Sequence, residues 1–170
     1  MKVILYMTTT IDGFIAKSDD SSDFISPNES AQYVAAVKDA GALIIGRRTY
    51  EVLSTQPEFE EFVKAGVKIV ALSHGNVAFK DSSHAVAHSP KDALNLVKDF
   101  DKVVVAGGGM TNAAFLEANL IDEIYLDVEP AILGKGIPLF NGNESEKQLK
   151  LLGYKEFGDG EIQLHYQVLR

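Results

Sequence analysis

Val103-Val104-Val105-Ala106 runs straight into Gly107-Gly108-Gly109, and a helical pattern through Phe115 and Leu116 follows. Small and β-branched apolar residues without polar alternation describe a strand buried on both faces. Glycines at its end permit a tight turn, and a helix starting there can cross back over the sheet. A strand of this kind demands a layered α/β fold, because helices must cover it from both sides.

The rest of the chain repeats the alternation. Lys2–Thr9 reads as a first strand, followed by a loop centred on Asp12-Gly13 and a polar stretch from Lys17 to Ser26. Pro27-Asn28-Glu29-Ser30 is a helix entrance. Tyr33, Val34 and Val37 then form an apolar stripe that ends near Gly41. Ala42–Ile45 is a buried strand stopping at Gly46, and Arg47–Ser54 starts a helix that Pro57 breaks. Val67–Leu72 and Ala85–Ala87 are strands, and Pro90–Phe100 is helical. Ile121–Glu129 is another strand, closed by Pro130. Lys150–Phe157 and Glu161–Leu169 form a hairpin around Gly158-Asp159-Gly160. The expected architecture is three-layer α/β: a mainly parallel central sheet with an antiparallel C-terminal hairpin, residues 1–170 forming one domain.

Charge and composition remove several function classes. Sixteen basic residues against 24 acidic ones leave a net charge of −8, which disfavours a general nucleic-acid surface. The absence of cysteine excludes disulfides, thiolate zinc sites and cysteine nucleophiles. His84 and His88 lie four apart without a carboxylate motif, so no metal site is expected. No G-x-S-x-G nucleophile elbow is present. The apolar run Val3–Met7 is too short for a signal peptide or a membrane span, so a cytoplasmic protein is expected.

Three strand ends carry anion-binding chemistry. Gly107, Gly108 and Gly109, with Met110, Thr111 and Asn112 opening the helix, offer unpaired main-chain amides to a pyrophosphate. Gly46, Arg47, Arg48 and Thr49 place two guanidinium groups and a hydroxyl at another helix start. Cations oppose the helix dipole there unless a phosphate sits among them. Ser73 and His74 follow a third strand and suit an additional phosphate. The spacing is not the Rossmann fingerprint, since Asn112 stands where its last glycine would be. Gly134-Lys135-Gly136 is not a Walker motif either.

Thr10–Ala16 (Thr-Ile-Asp-Gly-Phe-Ile-Ala), Ile44–Glu51 (Ile-Ile-Gly-Arg-Arg-Thr-Tyr-Glu) and Val104–Gly109 together resemble the dihydrofolate reductase superfamily. Leu120–Pro130 with Ile132–Phe140 resembles, more specifically, the C-terminal reductase domain of the bifunctional riboflavin biosynthesis protein. The resemblance spans almost the whole chain. It implies a free-standing NADPH-dependent reductase of a small heterocycle, similar to 5-amino-6-(5-phosphoribosylamino)uracil reductase. The residues of a preceding deaminase unit are not expected, because its cysteine zinc ligands are missing.

Carried over by position, Gly46 to Thr49 would hold the pyrophosphate and the 2′-phosphate, with Ser73 and His74 flanking the latter. His74 stands where some relatives carry arginine. Gly107 to Asn112 would wrap the pyrophosphate, and Thr8, Ile15 and Ala16 would face the nicotinamide. The acid that dihydrofolate reductase places on its first helix has its nearest counterpart in Glu29, with Asp12 and Asp127 as alternatives for the same catalytic role. The rival readings are a true dihydrofolate reductase, a non-catalytic NADP-binding protein, and a flavodoxin-like or Rossmann binder. The region Leu120–Val128 and the terminal hairpin are expected to pair across a two-fold axis in a homodimer.

Overall fold

The computed structural model describes residues 1–169; Arg170, the last residue of the expected domain, lies outside the described residues. The elements are β1 (Lys2–Thr10), β2 (Phe14–Ala16), α1 (Pro27–Ala40), β3 (Ala42–Gly46), α2 (Arg47–Leu53), α3 (Pro57–Lys64), β4 (Lys68–Leu72), β5 (Ala85–Ala87), α4 (Pro90–Leu96), β6 (Lys102–Val105), α5 (Gly109–Glu117), β7 (Glu123–Glu129), β8 (Ile137–Pro138), β9 (Leu149–Glu156) and β10 (Ile162–Val168). Eight strands form one sheet in the order β5-β4-β3-β6-β1-β7-β10-β9, and β2 pairs with β8. The sheet is parallel from β5 to β7, then antiparallel through β10 and β9. This is the expected architecture.

Period-two alternation sends neighbouring strand residues to opposite faces. Val3, Leu5, Ala42, Ile44, Val70, Val103 and Val105 pack with Phe115 and Leu116 of α5 and Ala93 of α4. Tyr6, Leu43, Ile45, Ile69, Ala71 and Val104 pack on the other face with Val34 and Val37 of α1 and Phe59 and Phe62 of α3.

Local chemistry explains the helix ends. Ser26 caps α1 by accepting from the Glu29 N–H at 3.0 Å, Pro27 occupies its first turn, and Gly41 ends it at φ 72°. Ser89 caps α4 in the same way, with Asp92 N–H donating. Two expectations need correction. Pro57 does not merely stop a helix: it opens α3, where its missing N–H costs nothing. The helix from Pro90 ends at Leu96 rather than Phe100, because Val97 leaves helical angles (φ −123°) to seat its side chain in the core. The turn that follows sets the Phe100 ring against Gly41, whose missing Cβ would lie 3.1 Å from it. The short β2–β8 pair was not foreseen, since three and two residues carry too little periodicity to be read. Among the described residues no helix is long and apolar enough to cross a membrane.

Phe62 is fully buried between α1 and the sheet. Phe62→Ala is expected to lower unfolding free energy by about 3–5 kcal/mol, through lost transfer energy and an unfilled cavity. Urea denaturation with an unchanged m-value checks this.

Candidate active site

Parallel pairing lines up the strand ends. Gly46 stands opposite Leu72, so Ser73 and His74 leave β4 beside the start of α2. The Gly46 N–H donates to Gly107 O at 2.7 Å, joining the end of β3 to the glycine loop after β6. A Cβ on Gly46 would lie 2.8 Å from Thr111 Oγ1, and one on Gly109 only 2.3 Å from Pro138 O. Both positions therefore require glycine for close approach. The Gly107–Gly108 peptide is cis. Thr49 Oγ1 would lie 3.5 Å from a Cβ on Gly108, which places the α2 hydroxyl beside this loop.

Unlike α1 and α4, helices α2 and α5 begin at glycines, Gly46 and Gly108, with no side-chain cap. Their first amides remain available to an anion. Arg47 and Arg48 flank them, both exposed. Arg48 Nε and Nη2 reach Asp20 Oδ2 at 2.6 and 2.5 Å, and Arg47 lies 3.8 Å from Glu51. Such exposed pairs are worth at most about 1 kcal/mol and exchange readily for a phosphate. Met110 is exposed at the mouth of α5, and the Asn112 side chain donates to Leu139 O at 2.9 Å with its own carbonyl oxygen buried and unpartnered. The Ser73 hydroxyl accepts from the Gly75 N–H at 3.1 Å, and His74 is exposed. Ile15 and Ala16 lie on β2, whose partner β8 leads into the segment touching α5 through Asn141 N–H to Gly109 O at 3.1 Å. Amides, glycines and guanidiniums thus meet along β4, β3 and β6, and this set fits an anionic dinucleotide.

One strand further on, a second cluster forms. Thr8 stands opposite Asp127, Thr10 opposite Glu129, and Gln163 opposite Asp127 from the other side. Glu29 reaches this group from the first turn of α1. Glu29, Asp127, Glu129 and Glu161 are all buried, Asp127 at 0% exposure. Ser26 ties them together: its N–H donates to Glu129 Oε1 at 2.7 Å and its hydroxyl donates to Glu161 Oε2 at 2.8 Å. Tyr6 completes the wall, its hydroxyl accepting from the Gln163 amide at 3.1 Å.

Burial pushes the Glu29 carboxyl up to about 8; Thr8 opposes the shift, and Asp127 and Glu161 add to it. Burial also raises Asp127, countered by Tyr6, Gln163 and Glu29, and burial raises Glu161, countered by Ser26. Both Asp127 oxygens lack a hydrogen bond of good geometry, although those three groups stand near enough to act on its charge. A proton on Glu29 relieves the repulsion among these carboxylates at neutral pH. The buried acids gather between β1 and β7, one strand over from the glycine loop after β6, where Met7 of β1 packs against Gly107.

Of the three acids singled out in the sequence, the fold brings Glu29 and Asp127 together and sets Asp12 apart. The Asp12 carboxylate accepts from Thr10 Oγ1 at 2.6 Å and from the Gly134 N–H at 2.7 Å, which anchors the loop before β8. Those bonds hold it below the usual carboxylate range, the Thr10 bond being the largest cause, so it does not store a proton at neutral pH. Glu129, Glu161, Gln163 and Tyr6 were missed. Asp127 and Glu129 alternate with apolar residues on a buried strand, a spacing of two that would have marked a shared face. Glu161 arrives only through antiparallel register, which no local pattern reports.

A family model described as the RibD C-terminal domain matches residues 1–162. The uncharacterized protein YwjB of Bacillus subtilis (strain 168) is 31% identical over 172 residues, covering 97% of this chain and 97% of its own. A crystal structure of a Shewanella sp. PV-4 protein named for riboflavin biosynthesis matches with a TM-score of 0.80 at 26% identity, covering 100% of both chains. The Thermotoga maritima diaminohydroxyphosphoribosylaminopyrimidine deaminase/5-amino-6-(5-phosphoribosylamino)uracil reductase shares the fold, with a TM-score of 0.74 at 20% identity over 99% of this chain and 56% of that one.

Glu29 keeps its proton to about pH 8 when folded and loses it near 4.5 when unfolded. Between those values the native state binds the extra proton, so this group makes stability fall as pH rises. Glu29→Gln is expected to flatten that slope and to raise the melting temperature most at pH 8. Thermal melts of both proteins from pH 5 to 9 measure it.

Proposed function

The chain belongs to the RibD C-terminal domain family, and on that premise we propose that it is an NADPH-dependent reductase of a small heterocyclic substrate, akin to the reductase step of riboflavin biosynthesis. Its dihydrofolate reductase-like fold sets the two clusters side by side. The observation that carries the reading is Glu29: a buried carboxyl on the first helix, holding a proton at neutral pH next to an anion cradle. A binding-only protein has no use for that arrangement, which costs stability to maintain.

In this reading the open amides of α2 and α5 take the pyrophosphate, with Gly107 to Asn112 around it. Arg47 and Arg48, leaving Glu51 and Asp20, take the 2′-phosphate with Thr49, Ser73 and His74 beside it. Thr8, Ile15 and Ala16 line the nicotinamide end. The reduced nicotinamide, when bound, supplies a hydride to an electrophilic carbon of the substrate. Glu29 donates the accompanying proton to the atom next to that carbon, while Asp127, beside Tyr6 and Gln163, acts on the Glu29 carboxyl. Asp12 has no part in the chemistry.

Two measurements test this. Titration calorimetry is expected to show NADPH bound more tightly than NADH, with Arg48→Ala weakening NADPH by about 10–100-fold and NADH by less than about 3-fold. Loss of NADPH absorbance with a panel of pyrimidines and pterins is expected for at least one acceptor, with Glu29→Gln reducing kcat by about 100-fold or more at unchanged cofactor affinity. Tight NADPH binding with no turnover of any acceptor would leave a binding protein and refute the reductase.

A further inference from the structure

Between β4 and β5 the chain makes a detour over residues 73–84, which begins with Ser73 and His74 and ends at His84. Two histidines fasten it. The Ser73 N–H donates to Ala87 O at 2.9 Å, and His88 Nδ1 lies 2.8 Å from Ser73 O, so the start is tied to the end of β5. His84 ties the other end to α2. Its Nδ1 lies 3.2 Å from the Tyr50 hydroxyl, which also accepts from the Lys80 N–H at 3.0 Å. The rings of Tyr50, Phe59 of α3 and Phe79 stand nearly perpendicular to the imidazole, with centroids 5.8, 5.6 and 6.2 Å away. Only 7% of His84 is exposed, and 1% of Tyr50.

The bonds around the phenol fix the state of the imidazole. With Nδ1 as acceptor, the phenol donates once and accepts once, and its hydrogen is satisfied. With Nδ1 protonated, two donors face the phenol oxygen and the phenol hydrogen is left buried without an acceptor. The neutral ring therefore carries its hydrogen on Nε2, which is buried without a partner. The charged groups nearby do not offset a cation here. Asp81 is committed to the N–H and hydroxyl of Ser83, Lys68 donates to Ser83 O, and Lys80 donates its ammonium to Ser54 O. Glu51 on α2 faces Arg47, and Glu60 on α3 pairs with Lys64. Burial lowers the His84 pKa; Asp81 opposes the shift and Lys68 adds to it.

Tyr50 directly follows Gly46 to Thr49 on α2, and the segment that His84 closes opens with Ser73 and His74. One phenol–imidazole contact thus joins the two sides of the place proposed above for the 2′-phosphate. We propose that His84 and Tyr50 are positioning residues for that end of the dinucleotide, the neutral imidazole holding α2 and residues 73–84 in one geometry that protonation of His84 releases. This role presupposes the dinucleotide seat of the proposed function. The sign follows from linkage. A histidine held below its ordinary value of 6.5 binds more protons once released, so the grip is complete above that value and is lost as pH falls through the lowered one. Cofactor affinity should weaken in acid, the reverse of what an exposed histidine beside a phosphate does.

Calorimetric titration of the full chain with NADP⁺, which is stable in acid, tests this at about pH 7.5 and about pH 5.5. Between them the wild-type dissociation constant is expected to rise about tenfold more than that of His84→Gln, whose amide oxygen still accepts from the phenol and does not titrate. Whatever His74 and the phosphate contribute is common to both proteins. At the higher pH His84→Gln is expected to bind within about 3-fold of wild type. Tyr50→Phe, which keeps the ring, is expected to weaken binding about tenfold at both, with circular dichroism unchanged. Nitrogen NMR of the wild-type imidazole needs no variant to fold, and is expected to place the His84 hydrogen on Nε2 at the higher pH. An Nδ1 hydrogen there, or equal pH dependence in wild type and His84→Gln, overturns the proposal and leaves the dinucleotide seat standing. Absence of NADP⁺ binding at both pH values refutes the seat, and this role with it.

Discussion

Parallel strands cannot be joined by tight hairpins, so each must be returned to the start of the sheet by a crossover on one face or the other. Everything functional in this molecule follows from that obligation. Six strands, β5 to β7 in sheet order, deliver their carboxyl ends to one edge, and the segments leaving them are forced into contact. Glycine is needed at Gly46 and Gly109 because three chain segments converge there with no room for a Cβ. Two of the helices that begin at this edge, α2 and α5, have no side-chain cap, and their first amides are left open.

The same edge explains how four buried carboxylates are tolerated. Ionised and unpaired, each would cost several kcal/mol. Ser26 donates to one oxygen of Glu129 and to one of Glu161, whose other oxygen is buried without a partner, and Glu29 keeps a proton instead of a charge. Asp127 is the least satisfied, with Tyr6 and Gln163 as its neighbours. Stability is given up locally for a titratable group out of water, a cost that catalytic sites commonly carry.

Strands such as Ala42–Ile45 and Val103–Val105 were legible because burial on both faces leaves an unbroken apolar run. The helix from Pro27 to Gly41 was legible because serine, proline and glycine mark its ends by stereochemistry. The glycine and arginine loops at the strand ends could be picked out for the same reason: those residues carry their chemistry locally. The acid cluster was only half legible. Glu29 and Asp127 could be named, but what makes them a pair is the packing of α1 on the sheet, a contact across 98 residues that no spacing encodes. Asp12, beside the first loop glycine, looked equally apt until its bonds to Thr10 and Gly134 gave it another task.

Ser26 holds the first helix in register with the rest of the molecule. Its hydroxyl accepts from α1 and donates to Glu161, and its amide donates to Glu129, so one residue indexes the helix against β7 and the residue preceding β10. The stretch upstream of it, from Lys17 to Ile25, makes short-range turns and the Lys17–Asp23 pair, and reaches α2 through Asp20 and Arg48. Its length is therefore decoupled from the position of Glu29: residues can be gained or lost there over evolutionary time, reshaping the rim of the cleft while the acid stays where it is.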